Sequence, residues 1–137
     1  KENFVISSFA RQLVKLSMDK SLPRVIVTGN LQVIRDFLDV RDVVKAYYEL
    51  LLHGKRGEVY NICSGKGTVL KDIVLKMAEM LNLEISIEIN PALIRPNENK
   101  IVVGSFEKIR HSVGWSPEIP LDQSLRDILS YWQAQLA

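Results

Sequence analysis

Apolar residues return every three or four positions in several segments of the chain and alternate with polar ones in others. Phe4, Ile6, Phe9, Leu13, Val14 and Leu16 share one side of a helix expected from about Phe4 to Lys20, with Asn3 as its cap. Leu22-Pro23 stops that helix, because a residue before proline avoids helical geometry. Arg24 to Thr28 reads as a strand, Gly29-Asn30 as a turn, and Val33 to Leu38 as a second short strand. Asp39 or Asp42 starts the next helix, along which Val43, Val44, Tyr47, Leu50 and Leu51 recur. Gly54-Lys55-Arg56-Gly57 closes it with glycine and with cations that suit the helix dipole.

Glu58 to Cys63 has the composition of a buried strand, followed by a loop over Ser64 to Thr68. Thr68 is placed to cap a helix carrying Ile73, Val74, Met77, Met80 and Leu81. Glu84 to Ile89 alternates as a half-buried strand does. Asn90 to Lys100 holds prolines and asparagines without any period and is expected to be a loop. Ile101 to Val103 follows as a short strand, and Phe106 to Val113 as a short helix ending at Gly114. Leu121, Leu125, Ile128, Leu129 and Trp132 mark a final amphipathic helix over Leu121 to Leu136. The sum is a single α/β domain over residues 1–137, built of short strands and helices with no internal linker or repeat.

Composition narrows the function classes. Of 137 residues, 47% are hydrophobic and 25% charged, which suits a globular domain with a real core. The apolar runs are too short for a membrane span. A net charge of +2, from 18 basic and 16 acidic residues, gives no footprint for nucleic acid, and basic and aromatic residues do not interleave. Cys63 is the only cysteine, so an intrachain disulfide is excluded and a reducing compartment, the cytoplasm, is expected. The start at Lys1, without methionine or a signal segment, is that of a fragment, a processed chain or an excised domain. His53 and His111 have no partner at ligand spacing, so no metal site is expected. Cys63 reads as a small core residue, and Trp115 and Trp132 as cover for the core.

Three segments carry candidate chemistry. Arg35 stands among Val33, Ile34, Phe37 and Leu38, where a guanidinium needs either an anionic ligand or a fixed partner such as Asp36, Asp39 or Asp42. The turn just before it, Gly29-Asn30-Leu31, lets backbone donors approach a ligand. Arg95-Pro96-Asn97-Glu98 holds a cation and a carboxylate in a stiffened loop, suited to a phosphate and to vicinal hydroxyls, or simply to solvent. Glu2-Asn3-Phe4-Val5 is a helix start with an apolar anchor. Ser64-Gly65-Lys66-Gly67-Thr68 is not a phosphate loop: the leading glycine is missing, and Gly67 rather than Ser or Thr follows Lys66.

These segments occur in an order that resembles the extended short-chain dehydrogenase/reductases, the NAD-dependent epimerase/dehydratase family. The order is Asn3-Phe4-Val5, Gly29-Asn30-Leu31 with Arg35-Asp36-Phe37, Val40-Arg41-Asp42-Val43, Tyr60-Asn61-Ile62-Cys63-Ser64-Gly65, Leu93-Ile94-Arg95-Pro96 with Glu98, and Gly114-Trp115 with Pro117. The resemblance is nearest to the GDP-4-keto-6-deoxy-mannose reductases and the GDP-mannose 4,6-dehydratases. Ile6-Ser7-Ser8 replaces the Thr-Arg-Lys of the dehydratases, which favours the reductases. It implies an α/β fold, the C-terminal nucleotide-sugar-binding part of an extended Rossmann-type enzyme whose N-terminal dinucleotide-binding domain is absent here.

By that resemblance Arg35 and Arg95 meet the diphosphate and Glu98 meets hydroxyls. Glu2, Asn3, Phe4 and Val5 line the base pocket with Asn30 and Leu31, and Phe4, Val5 and Leu31 flank the base. Neither a Gly-x-x-Gly-x-x-Gly turn nor a Tyr-x-x-x-Lys pair occurs among the 137 residues. No catalytic or cofactor-binding residue is therefore expected in this chain, and NAD(P)H is bound by the missing domain. The implied partners are a GDP-sugar, the protein's own N-terminal Rossmann domain and a second copy in a homodimer. Other readings of the same residues are a dehydratase or epimerase of nucleotide sugars and a non-catalytic nucleotide-sugar-binding module.

Overall fold

The first apolar stripe forms helix α1, Val5–Met18, with Phe9, Ala10, Leu13, Val14 and Leu16 buried. The computed structural model describes residues 4–94 and 96–137. The elements that follow are β1 (Val25–Thr28), β2 (Ile34–Asp36), α2 (Val40–His53), β3 (Gly67–Val69), α3 (Leu70–Met80), β4 (Ser86–Ile89), β5 (Ile101–Val102), α4 (Glu107–Val113) and α5 (Leu121–Leu136). A 3-10 turn, Pro91–Leu93, interrupts the loop expected over Asn90 to Lys100, and the Asn90 side chain caps it by accepting from the Ala92 N–H.

One domain was the expectation for residues 1–137; the chain folds as two compact units, each assembled from separate stretches. The first holds residues up to Val33, Val69–Lys100 and Leu125–Ala137. In it β1 and β4 pair in parallel, Val25 opposite Ser86 and Thr28 opposite Ile89. Helices α1 and α3 pack together, and Leu13, Ile26, Ile73, Met77 and Leu125 are almost wholly enclosed. Each such side chain contributes about 2 kcal/mol by leaving water. Trp132 is buried as expected, and its indole N–H donates to Ser7 Oγ at 3.2 Å.

The second unit, Ile34–Thr68 with Ile101–Ser124, carries the sheet β3-β2-β5. There β2 and β5 are parallel, with Ile34 opposite Ile101. Ala46, Ile109 and Trp115 form its core, with Leu38, Leu50, Tyr60 and Phe106 packed around them. Phe106 meets Trp115 edge to face at 6.1 Å. Gly114 ends α4 at φ 75°, a left-handed conformation that glycine adopts without strain.

Two expectations are corrected. Glu58 to Cys63 joins no ladder among the described residues, and Val59 is 79% exposed. Tyr60 and Ile62 still pack against the core cluster, but a composition suited to a strand cannot supply a neighbouring one. Lys108 holds the segment instead, donating to Glu58 Oε2 at 2.7 Å and to the Val59 carbonyl at 2.8 Å. Thr68 does not cap α3, because Gly67–Val69 is drawn into the sheet. The first helical N–H groups are satisfied by backbone, Leu70 donating to the Val33 carbonyl and Lys71 to that of Leu31, each at 3.0 Å.

Candidate functional site

In the first unit, the carboxyl ends of two parallel strands open into a groove. Such ends are where open α/β sheets bind ligands. Thr28 ends β1 and Gly29 follows it, Leu93 follows β4, and α1 supplies Val5, Ser8 and Gln12 to the same groove. The groove encloses about 710 Å³, within the range of small-ligand sites. Phe4, expected on the apolar core side of α1, is instead 66% exposed and offers its ring to this groove. Val5 is 40% exposed beside it.

The turn after β1 is fixed by close approach. A Cβ on Gly29 would lie 2.5 Å from the Leu93 carbonyl oxygen, backbone that cannot swing aside. Gly29→Ala is therefore expected to shift the Pro91–Leu93 turn and destabilise the complete protein by about 2 kcal/mol. A thermal melt checks it, and an unchanged midpoint would refute the close fit. Asn30 closes an Asx turn, its Oδ1 accepting the Gln32 N–H at 2.9 Å. Leu31, expected beside the base, is 3% exposed, so its side chain belongs to the core and its carbonyl to Lys71. Glu98 is half-buried, just after Asn97 at φ 60°. Glu2, Asn3 and Arg95 lie outside the described residues.

Arg35 belongs to the second unit, half-buried on β2, with a guanidinium N–H donating to the Ile34 carbonyl at 2.9 Å. The carboxylates near it in sequence have other work. Asp36 accepts from Ser64 N at 2.8 Å, Ser64 Oγ at 2.5 Å, Gly65 N at 2.9 Å and Gly104 N at 3.2 Å. Burial would raise its pKa, but these donors win and hold it below the ordinary carboxylate value. Asp39 caps α2, accepting from the Arg41 backbone and guanidinium and from Ser124 Oγ, and its carboxyl is held well below the usual range, first by the Arg41 side chain. Asp42 is fully buried, Oδ2 accepting from Glu118 N at 3.0 Å and Ile119 N at 2.9 Å. Reading the sequence for ligands singled out Arg35 and passed over Asp36 and Asp42 as organisers, because their partners lie far along the chain.

Little else in the described residues supports chemistry. Cys63 is half-buried, and burial followed by the negative charge of Asp36 pushes its thiol pKa up, the opposite of an activated nucleophile. No group of three metal-ligating side chains occurs among the described residues. No helix among them is long and apolar enough to cross a membrane.

Residues 1–128 match the GDP-mannose 4,6-dehydratase family. GDP-6-deoxy-D-mannose reductase of Pseudomonas aeruginosa is 41% identical over 136 residues, covering 99% of this chain and 44% of that enzyme. The structure of RMD from the same organism, complexed with NADPH, superposes with a TM-score of 0.92 at 38% identity, over 98% of this chain and 44% of that one. The match falls on the C-terminal portion of that Rossmann-type enzyme. dTDP-glucose 4,6-dehydratase 1 of Escherichia coli is 29% identical over 119 residues, 82% of this chain and 32% of that enzyme. The chain thus spans less than half the length of these relatives. With its α/β fold and six ordered motifs, it belongs to the GDP-mannose 4,6-dehydratase family of extended short-chain dehydrogenase/reductases.

Proposed function

We propose that the complete protein is a cytoplasmic NAD(P)-dependent reductase of a GDP-4-keto-6-deoxy-mannose, and that this chain is its substrate-binding portion. The observation that carries this reading is the 41% identity, over nearly the whole chain, to GDP-6-deoxy-D-mannose reductase. In this reading Arg35 and Arg95 neutralise the diphosphate and Glu98 accepts from hydroxyls. Phe4 and Val5 hold the base against the Gly29-Asn30-Leu31 turn, with Glu2 and Asn3 leading into that wall. Binding energy gathered at the nucleotide end orients a ketone far from it.

A reduced nicotinamide, when bound by the complete enzyme, supplies the hydride. Nothing in this chain fits it, since the glycine-rich turn and the Tyr-x-x-x-Lys pair are missing from the sequence. We assign that task to a Rossmann domain of the same protein. Support comes from α2, which exposes Val40, Val44, Tyr47 and Leu51 by 60–82% along one face while Ala46, on the other, is buried. An exposed apolar stripe of this kind on a helix is suited to being covered by a neighbouring domain. A homodimer of the complete enzyme is part of the same proposal.

Calorimetric titration of the complete protein with GDP, UDP and dTDP tests the reading. GDP is expected to bind selectively, and Arg35→Ala to weaken it roughly thirtyfold, the worth of one charge-assisted contact, with NAD(P)H affinity unchanged. Tighter binding of UDP or dTDP would overturn the base assignment, and equal loss of nucleotide and cofactor would overturn the role of Arg35. Binding of none by folded protein would overturn the nucleotide-sugar reading altogether.

A further inference from the structure

Val5, Ser8, Phe9 and Gln12 follow the i, i+3, i+4, i+7 rhythm of one helix face, and all four line the groove at the end of β1. The nearer part of that face is apolar. Its far end is polar and consists of the Ser8–Gln12 pair. Gln12 Nε2 donates to the Ser8 carbonyl and to Ser8 Oγ, each at 3.3 Å. One end of the amide is thereby tied to the helix, and Oε1 accepts from none of the described residues. An anchored amide with its oxygen unused, half-buried at the edge of an apolar slot, is a reader of hydrogen-bond donors.

The slot suits a planar heterocycle. The exposed Phe4 ring and Val5 offer an apolar wall, and Thr28, Gly29 and Leu93 close the opposite side. A base seated there meets Gln12 with its polar edge. Guanine carries an exocyclic 2-amino group on that edge, which uracil and thymine lack. Among the described residues the groove carries no charged lining side chain, and Gln12 reads the base edge by a neutral hydrogen bond.

We propose that Gln12 is the base-specificity residue of this site: its Oε1 accepts from the guanine 2-amino group while Ser8 fixes the orientation of the amide. The assignment rests on the nucleotide-sugar reading above and adds to it the residue that selects the base. Sequence reading passed over Gln12 because a glutamine on an amphipathic helix looks like an ordinary solvated position.

The test compares GDP with inosine 5′-diphosphate, which differs only by lacking that amino group, on the complete enzyme by calorimetry. Wild type is expected to bind GDP roughly fivefold more tightly than the inosine analogue, the worth of one neutral hydrogen bond. Gln12→Leu removes the preference and leaves the inosine affinity in place. A purely structural loss would weaken both ligands together and keep the ratio, overturning the assignment. If Gln12→Leu does not fold, Gln12→Asn, too short by one methylene, must remove the preference instead. Equal wild-type affinities would sink the role of Gln12 while the nucleotide site stood, whereas binding of neither ligand would sink the nucleotide-sugar reading itself.

Discussion

Alanine at Asp42 is expected to destabilise the complete protein by about 3 kcal/mol, from the loss of two hydrogen bonds to a buried carboxylate. Asp42 is 0% exposed in the first turn of α2, and its Oδ2 takes the N–H groups of Glu118 and Ile119. Its own carbonyl accepts the Trp115 indole N–H at 3.1 Å. One turn of helix therefore gathers residues 115–119 onto the core cluster through three hydrogen bonds. Alanine strands two backbone donors at once, and asparagine, which keeps one acceptor, should recover part of the loss. Urea-unfolding midpoints of the two variants check this. A loss below about 1 kcal/mol would mean that water replaces the carboxylate freely.

Asp36→Asn should cost a similar amount, about 3 kcal/mol, with a pH dependence that identifies the cause. Asp36 gathers four donors from two distant segments onto β2. An asparagine side chain turns one acceptor into a donor and faces those N–H groups with the wrong polarity. The folded pKa of Asp36 lies below its ordinary value, so in acid the unfolded chain binds the extra proton. Its stabilising contribution is thus complete above about pH 4 and is lost as pH falls through the folded pKa. The gap between wild type and Asp36→Asn should be widest near pH 7 and shrink as pH falls through the folded pKa. A gap that stayed constant would trace the loss to packing rather than to the carboxylate.

The helices were legible in the sequence because their evidence is local. Spacing alone located α5 from Leu121 to Leu136, and Gly114 marked the end of α4. Pairing was less legible. The buried strand expected over Glu58 to Cys63 found no partner among the described residues, and the capping role given to Thr68 lost to a sheet that forms only when β2 arrives. The candidate site was read through short motifs, charged and uncharged alike, that stand together in the sequence. What lay outside those motifs was hidden: Gln12 among helix positions, and the approach of Gly29 to Leu93 across a separation that only folding closes. Asp36 and Asp42 were noticed as possible partners of Arg35, whereas their true partners lie 28 to 77 residues away.

The chain passes between its units at Val33, Thr68, Lys100 and Ser124, so neither unit is encoded as one continuous stretch. A deletion or a single recombination point therefore cannot remove or replace one and spare the other. Exchanging the groove that holds Phe4 and Gln12 for that of a relative would require residues up to 33, 69–100 and 125–137 to travel together. Changing a few side chains along α1 is the easier route, both for the laboratory and for descent with modification.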